Sequence, residues 1–129
     1  SYTDPSGLEP STTSTAADQV RLGLAAMRVP ALAAIVAMRA AVVPEAGVVR
    51  NYNTLLGQDG IVGLKTGSTQ VAGGCLLIAA WSQAGGRETL IVAATFGQPG
   101  TAQTILPNAL RAGHGLVLAL DHALAGPRP

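Results

Sequence analysis

Two apolar runs joined by a short polar turn constrain this chain more than any other feature. Cys75-Leu76-Leu77-Ile78-Ala79-Ala80-Trp81 and Leu90-Ile91-Val92-Ala93-Ala94 show no polar alternation. Such runs suit central strands covered on both faces. The turn between them, Gln83-Ala84-Gly85-Gly86, is too short for a crossover and implies antiparallel pairing. Strands are therefore expected over about 75–82 and 88–96. A third, over about 63–68, precedes them after the turn-like Gly57-Gln58-Asp59-Gly60.

The rest of the chain reads as helices and loops around that sheet. Residues 1–14 are rich in Ser, Thr, Pro, Asp and Gly and read as loop, with a turn around Gly7. Thr15 fits a helix cap, with Asp18 in the first turn. Ala17, Val20, Leu24 and Met27 then recur at the spacing of one buried helix face. Val29-Pro30 ends that helix, and Pro30 opens a short second one through Ile35. Met27 and Met38 are read as core filling. Val36–Val43 and Val48–Leu56 flank Pro44-Glu45-Ala46-Gly47 as a hairpin. After Gly97-Gln98-Pro99-Gly100, a final helix runs to about Leu124, its apolar face marked by Ile105, Leu106, Ala109, Leu110, Gly113, Leu116, Val117, Leu120 and Leu124. Pro107 is expected to start or kink that helix, and Gly113 to allow close packing on the sheet. Residues 1–46 thus hold loop, helices and the hairpin start, 47–97 the sheet, and 98–125 the last helix.

Composition narrows the function. The 129 residues form one domain or part of one, with 48% hydrophobic and 12% charged residues, which argues against disorder. A net charge of +1 without a basic cluster gives no case for nucleic acid. One Trp, two Tyr and one Phe make no stacking platform. One cysteine forms no internal disulfide. The N-terminus is not a signal peptide, which leaves secretion open.

Charge is scarce, so a lysine amid apolar residues and glycines stands out: Gly63-Leu64-Lys65-Thr66-Gly67-Ser68-Thr69. Lys65, Thr66 and Gly67 entering a strand can present an ammonium, a hydroxyl and a bare backbone edge together. That set suits a ligand carboxylate. Further on stands Ala72-Gly73-Gly74-Cys75-Leu76, and before it Asn51-Tyr52-Asn53-Thr54-Leu55-Leu56. The asparagines are read as backbone-bonding turn residues. Taken together, these stretches resemble the region of the third motif in the penicillin-recognising serine peptidases, and most closely the serine-type D-alanyl-D-alanine carboxypeptidases. Asp4-Pro5-Ser6-Gly7-Leu8 resembles the segment that follows the family's second motif.

The resemblance implies an α/β (α+β sandwich) fold of the β-lactamase and DD-peptidase type. Its antiparallel sheet, flanked by helices, would be incomplete here, with the last helix on one face. It also implies acyl transfer by a serine, without metal or other cofactor. Lys65, Thr66 and Gly67 would bind the substrate's terminal carboxylate. The Ser68 backbone N–H would be one of two oxyanion-hole donors. Lys65 is the only lysine, and neither Ser-x-x-Lys nor Ser-x-Asn occurs. The chain is therefore expected to be the C-terminal part of a catalytic domain and inactive alone. Without the remainder, residues 75–82 and 89–96 would expose an apolar face and an unpaired edge, so association with that remainder or with a second copy is expected. Implied partners are peptidoglycan stem peptides ending in D-Ala-D-Ala and β-lactams as inhibitors, at an extracytoplasmic location. Rival readings are a β-lactamase-like hydrolase and a non-catalytic carboxylate-binding module.

Other candidates are weaker. Leu64 separates Gly63 from Lys65 and breaks the contact a phosphate loop needs. His114 and His122 lack ligand-spaced partners, so a surface or packing role is expected. Asp121-His122 is read as lacking a serine partner, and Cys75 as a small buried hydrophobe.

Overall fold

The computed structural model describes residues 1–126. Helix α1 (Ala16–Met27) starts at Thr15, whose hydroxyl oxygen accepts the Asp18 N–H at 3.1 Å. Helix α2 (Pro30–Val36) follows with proline in its first turn. Strands β1 (Ala40–Val43) and β2 (Gly47–Arg50) form a separate antiparallel hairpin. Strands β3 (Ile61–Thr69), β4 (Gly73–Ser82) and β5 (Thr89–Gln98) form one antiparallel sheet in the order β3-β4-β5. Helix α3 (Ile105–Ala125) closes the chain over that sheet.

The core lies between α3 and the sheet. Ile61, Leu76, Ile78 and Val117 are its largest fully buried side chains, with Ala109 and Leu110 beside them. Close approach is set by Gly113: a Cβ there would stand 2.4 Å from Leu76 Cδ2. Pro107 causes no break. It is the third residue of α3, where the backbone N–H has no helical partner in any case.

On the opposite face α1 packs against β4 and β5, and α2 against β3. The face of α1 differs from the expected one. Gly23 is buried, Val20 and Met27 are half-buried, and Ala17 and Leu24 are exposed. A Cβ on Gly23 would meet Val92 Cγ1 at 2.8 Å and Leu64 Cδ1 at 3.1 Å, so the helix sits on the sheet through a residue with no side chain. With α1 and α2 in place, this sheet face is not bare as expected. Leu77, Val92 and Ala94 are half-buried and Ala79 is buried. The outer sides of the helices are what remains open, with Leu22, Ile35 and Leu118 among the exposed apolar residues. The outward edge of β5 has no strand partner among the described residues, as expected.

The hairpin is shorter than its apolar sequence predicts. Val36 belongs to α2, and residues 51–56 form turns. Asn51 explains both limits. Its side-chain amide donates to the carbonyls of Val36 at 3.3 Å and Met38 at 3.0 Å, which takes that backbone out of any ladder. Met38 is exposed rather than core, because it stands in the link between α2 and β1. Leu116, Leu120 and Leu124 are also exposed, since only the first two-thirds of α3 contributes residues to the buried core. Among the described residues, no single helix is long and apolar enough to cross a membrane.

Candidate functional site

Lys65, Thr66, Gly67 and Ser68 are consecutive on β3 and pair with Leu77, Leu76, Cys75 and Gly74 of β4. Their strand is fixed at its start by Ile61, which is buried in the core. Gly60 can accept the Trp81 N–H at 2.9 Å because a Cβ on Gly60 would stand 2.1 Å from the Trp81 carbonyl oxygen. The strand is thus anchored upstream and becomes exposed downstream, where Lys65, Gly67, Ser68 and Thr69 are all open to solvent and Thr66 is half-buried.

The electrostatics of this stretch are simple. Lys65 Nζ donates to the Thr66 carbonyl oxygen. Among the described residues the side-chain ion pair is Arg21–Asp18, and Asp59 is bonded to the His114 ring, so no carboxylate neutralises Lys65. A Cβ on Gly67 would meet nothing within 4 Å, so the space beside it is empty. Among the described residues β3 has β4 on one side and no second strand on the other. An uncompensated ammonium, a hydroxyl and an unpaired strand edge therefore converge within four residues. Such an edge can pair with an extended peptide while the charge holds an anionic group on it.

An open hollow of about 380 Å³ adjoins the end of this stretch, lined by Ser68, Thr69, Gln70, Gly100, Thr101 and Ile105 among others. A larger one of about 490 Å³ lies between residues 51–55 and α3 and touches none of residues 65–68. The link between β5 and α3 was not singled out in the sequence as part of the site. Its one signal is Gly100, where a Cβ would stand 2.7 Å from the Ile105 nitrogen.

The Asn51–Leu56 turns hold the backbone of β3 just before Lys65. Asn53 is buried and donates its side-chain amide to the Gly63 carbonyl at 3.3 Å. Its own N–H donates to Asn51 Oδ1 at 2.9 Å, and Leu55 N–H donates to Asn53 Oδ1 at 3.2 Å. Both asparagines are backbone-bonding, as read from the sequence.

The remaining candidates stand apart. His114 Nε2 lies 2.7 Å from Asp59 Oδ2, tying α3 to the turn before β3. His122 is exposed, and among the described residues no cluster of three or more His, Cys, Asp or Glu could hold a metal. Asp121 does have a serine partner, contrary to the sequence reading: the Ser82 hydroxyl donates to its carboxylate. Ser82 is buried, and its oxygen also accepts the Ala84 N–H at 3.1 Å, so the pair joins the end of β4 to α3 and is no nucleophile. Cys75 is half-buried rather than buried, because a bulge between Gly74 and Leu76 takes it out of register with β5.

No family model and no curated protein matches the chain. Solved structures do. Two mutants of the Streptomyces K15 DD-transpeptidase align with TM-scores of 0.67 and 0.66, at 25% and 23% identity. They cover 89% and 85% of this chain but only 44% and 43% of their own. Penicillin-binding protein D2 from Listeria monocytogenes, in its cefotaxime-bound form, aligns over 74% of this chain and 35% of its own, with a TM-score of 0.51 and 22% identity. The chain has the fold of the C-terminal part of a DD-peptidase domain. It spans less than half the length of the solved structures it matches.

Proposed function

We propose that this chain is the C-terminal part of a serine-type D-alanyl-D-alanine carboxypeptidase, a penicillin-binding enzyme that trims the terminal D-alanine from peptidoglycan stem peptides outside the cytoplasm. The observation that carries the reading is the uncompensated Lys65 on the open edge of β3, beside Thr66 and Gly67, within a DD-peptidase fold. In this reading the Lys65 ammonium and the Thr66 hydroxyl hold the substrate's terminal carboxylate. The bare backbone at Gly67 lets the peptide lie close. The Ser68 N–H takes one side of the carbonyl oxygen as it gains charge; losing one such donor costs about 100- to 1,000-fold in rate.

The nucleophile comes from a Ser-x-x-Lys that this sequence does not contain. Its hydroxyl oxygen attacks the penultimate D-alanine carbonyl and the proton passes to the adjacent lysine. The C–N bond breaks, D-alanine leaves carrying that proton, and water then releases the acyl group from the serine. A transpeptidase shares the acyl-enzyme step and differs in delivering the acyl group to an amine. A β-lactam would enter the same site, its carboxylate on Lys65 and Thr66, and acylate the same serine.

A second reading, a carboxylate-binding module without catalysis, needs only Lys65, Thr66 and Gly67 on the open edge of β3. Incubation of native material with a fluorescent penicillin, followed by intact masses of every species, separates the two. A covalent adduct on a longer or co-purifying chain that carries an upstream serine is the expected result. No adduct on any species would leave the binding module.

A further inference from the structure

The free edge of β3 is divided into an occupied part and an open part. At its start, Ile61 donates its N–H to the Gln58 carbonyl at 2.8 Å and accepts the Gly57 N–H at 2.8 Å. Two residues on, the Gly63 carbonyl accepts the Asn53 side-chain amide. Val36 of α2 covers the sheet face at the same residue: a Cβ on Gly63 would stand 2.9 Å from Val36 Cγ2. From Lys65 to Thr69, β4 supplies the strand pairing, and among the described residues the one further bond to a backbone group comes from Lys65 Nζ to the Thr66 carbonyl.

Asn53 stands at the boundary, and it is 4% exposed with both side-chain polar atoms bonded to backbone. Through Asn51, whose amide holds the carbonyls of Val36 and Met38, its bonding extends to the end of α2. A continuous amide relay therefore runs from α2 to a residue two positions before Lys65.

Resting on the reading of Lys65–Ser68 as the carboxylate-binding stretch, we infer that Asn53 is a specificity-determining positioning residue that closes β3 upstream of Lys65, so that a bound peptide has to end there. An extended ligand antiparallel to β3 runs from the Thr69 end toward Ile61. Residues 61 and 63 are already engaged, so the last residue of the ligand falls beside Lys65. A free α-carboxylate at that place meets the ammonium. A chain that continues meets Asn53 instead and carries its charge away from Lys65. The site accordingly accepts carboxyl termini and refuses internal peptide bonds, and this exclusion comes from the Asn51–Asn53 relay rather than from Lys65 itself.

The test compares two N-acetylated peptides on the full 129-residue chain. One ends in D-Ala-D-Ala as the free acid, and the other is the same peptide extended by one glycine amide, which has no α-carboxylate to slide back to Lys65. Affinities come from amide-shift titration of residues 65–68, in the wild-type chain and in Asn53→Ala and Asn53→Ser. Thermal unfolding reports whether each variant is folded. The wild-type chain is expected to bind the shorter peptide about ten-fold more tightly, and the variants to reduce that ratio to about three-fold or less. Asn53→Ser keeps an oxygen for the Leu55 N–H and removes the amide that engages Gly63, so it decides the matter if Asn53→Ala does not fold. Equal affinities in the wild-type chain overturn the inference and the carboxylate reading together. A ten-fold ratio that persists in a folded variant overturns the inference alone and leaves the carboxylate reading standing. If neither peptide binds at residues 65–68, the carboxylate reading fails and the role of Asn53 fails with it.

Discussion

Two glycines two positions apart on α3 make opposite predictions from the same substitution. Gly113 faces the sheet, where an added Cβ would stand 2.4 Å from Leu76 Cδ2, 3.4 Å from Leu76 Cγ and 3.6 Å from Ile78 Cγ2. Gly115 has nothing within 4 Å of the same atom. Replacing either with alanine gains about 1 kcal/mol of helix propensity. At Gly115 that gain is the whole effect. At Gly113 the methyl enters a filled core, and Leu76 is 1% exposed, so it has no vacant space into which to turn. Overpacking of this kind costs about 1–3 kcal/mol. Gly113→Ala is therefore expected to fall below Gly115→Ala in stability by about 1–3 kcal/mol, roughly 4–12 °C in melting temperature at about 4 °C per kcal/mol. Thermal unfolding followed by far-UV circular dichroism measures the pair under one buffer. If Gly113→Ala is stabilised as much as Gly115→Ala, α3 does not lie on Leu76 at the described distance, and the packing of the core against β4 is wrong.

Further outcomes follow from the same contacts. Ile78→Ala removes a side chain with no exposed surface and is expected to cost about 2–5 kcal/mol, read from the urea midpoint. Thr15→Ala removes the α1 cap and is expected to cost about 1 kcal/mol. The Thr15 hydroxyl, and then Arg21, hold the Asp18 carboxyl below its ordinary value, so the stabilisation that the Asp18 carboxylate itself adds is present above the ordinary carboxylate range and is lost as pH falls through the lowered one. The Asp18 carboxyl carbon, titrated by NMR, is expected to move back toward the ordinary value in Thr15→Ala. Carboxylate binding at Lys65 is expected to weaken as salt rises, because the ammonium is exposed and its attraction screened within about 10 Å at 0.1 M. Affinity that is unchanged between low and high salt would remove the charge from the account.

The parts of this fold that were legible in the sequence are those set by local chemistry. The unalternating runs of β4 and β5, the capping Thr15 and the Lys65–Ser68 stretch each carry their signal within a few residues. Other features depend on segments far apart in the chain. The apolar run from Val36 to Val43 fits strand or helix equally well, and the amide of Asn51 decides where one stops and the other begins. Gly23 is the contact point of α1, yet a hydrophobic pattern passes over a residue with no side chain. Ser82 reaches Asp121 across 39 positions and Asp59 reaches His114 across 55, distances over which periodicity carries no information. At the site, the residues offered for ligand contact were readable as a motif. The boundary formed by Asn53 and Gly63 was not, because a hydrogen bond across 10 positions depends on how the turns between them fold.

The central claim is that β3 holds a carboxylate at Lys65, and amide shifts of the full chain during titration with an N-acetylated peptide ending in D-Ala-D-Ala test it most directly. The expected result is a contiguous set of saturating shifts over residues 65–69, abolished in Lys65→Met while the folded spectrum is retained. Shifts scattered over other elements, or an unchanged response in Lys65→Met, would contradict it.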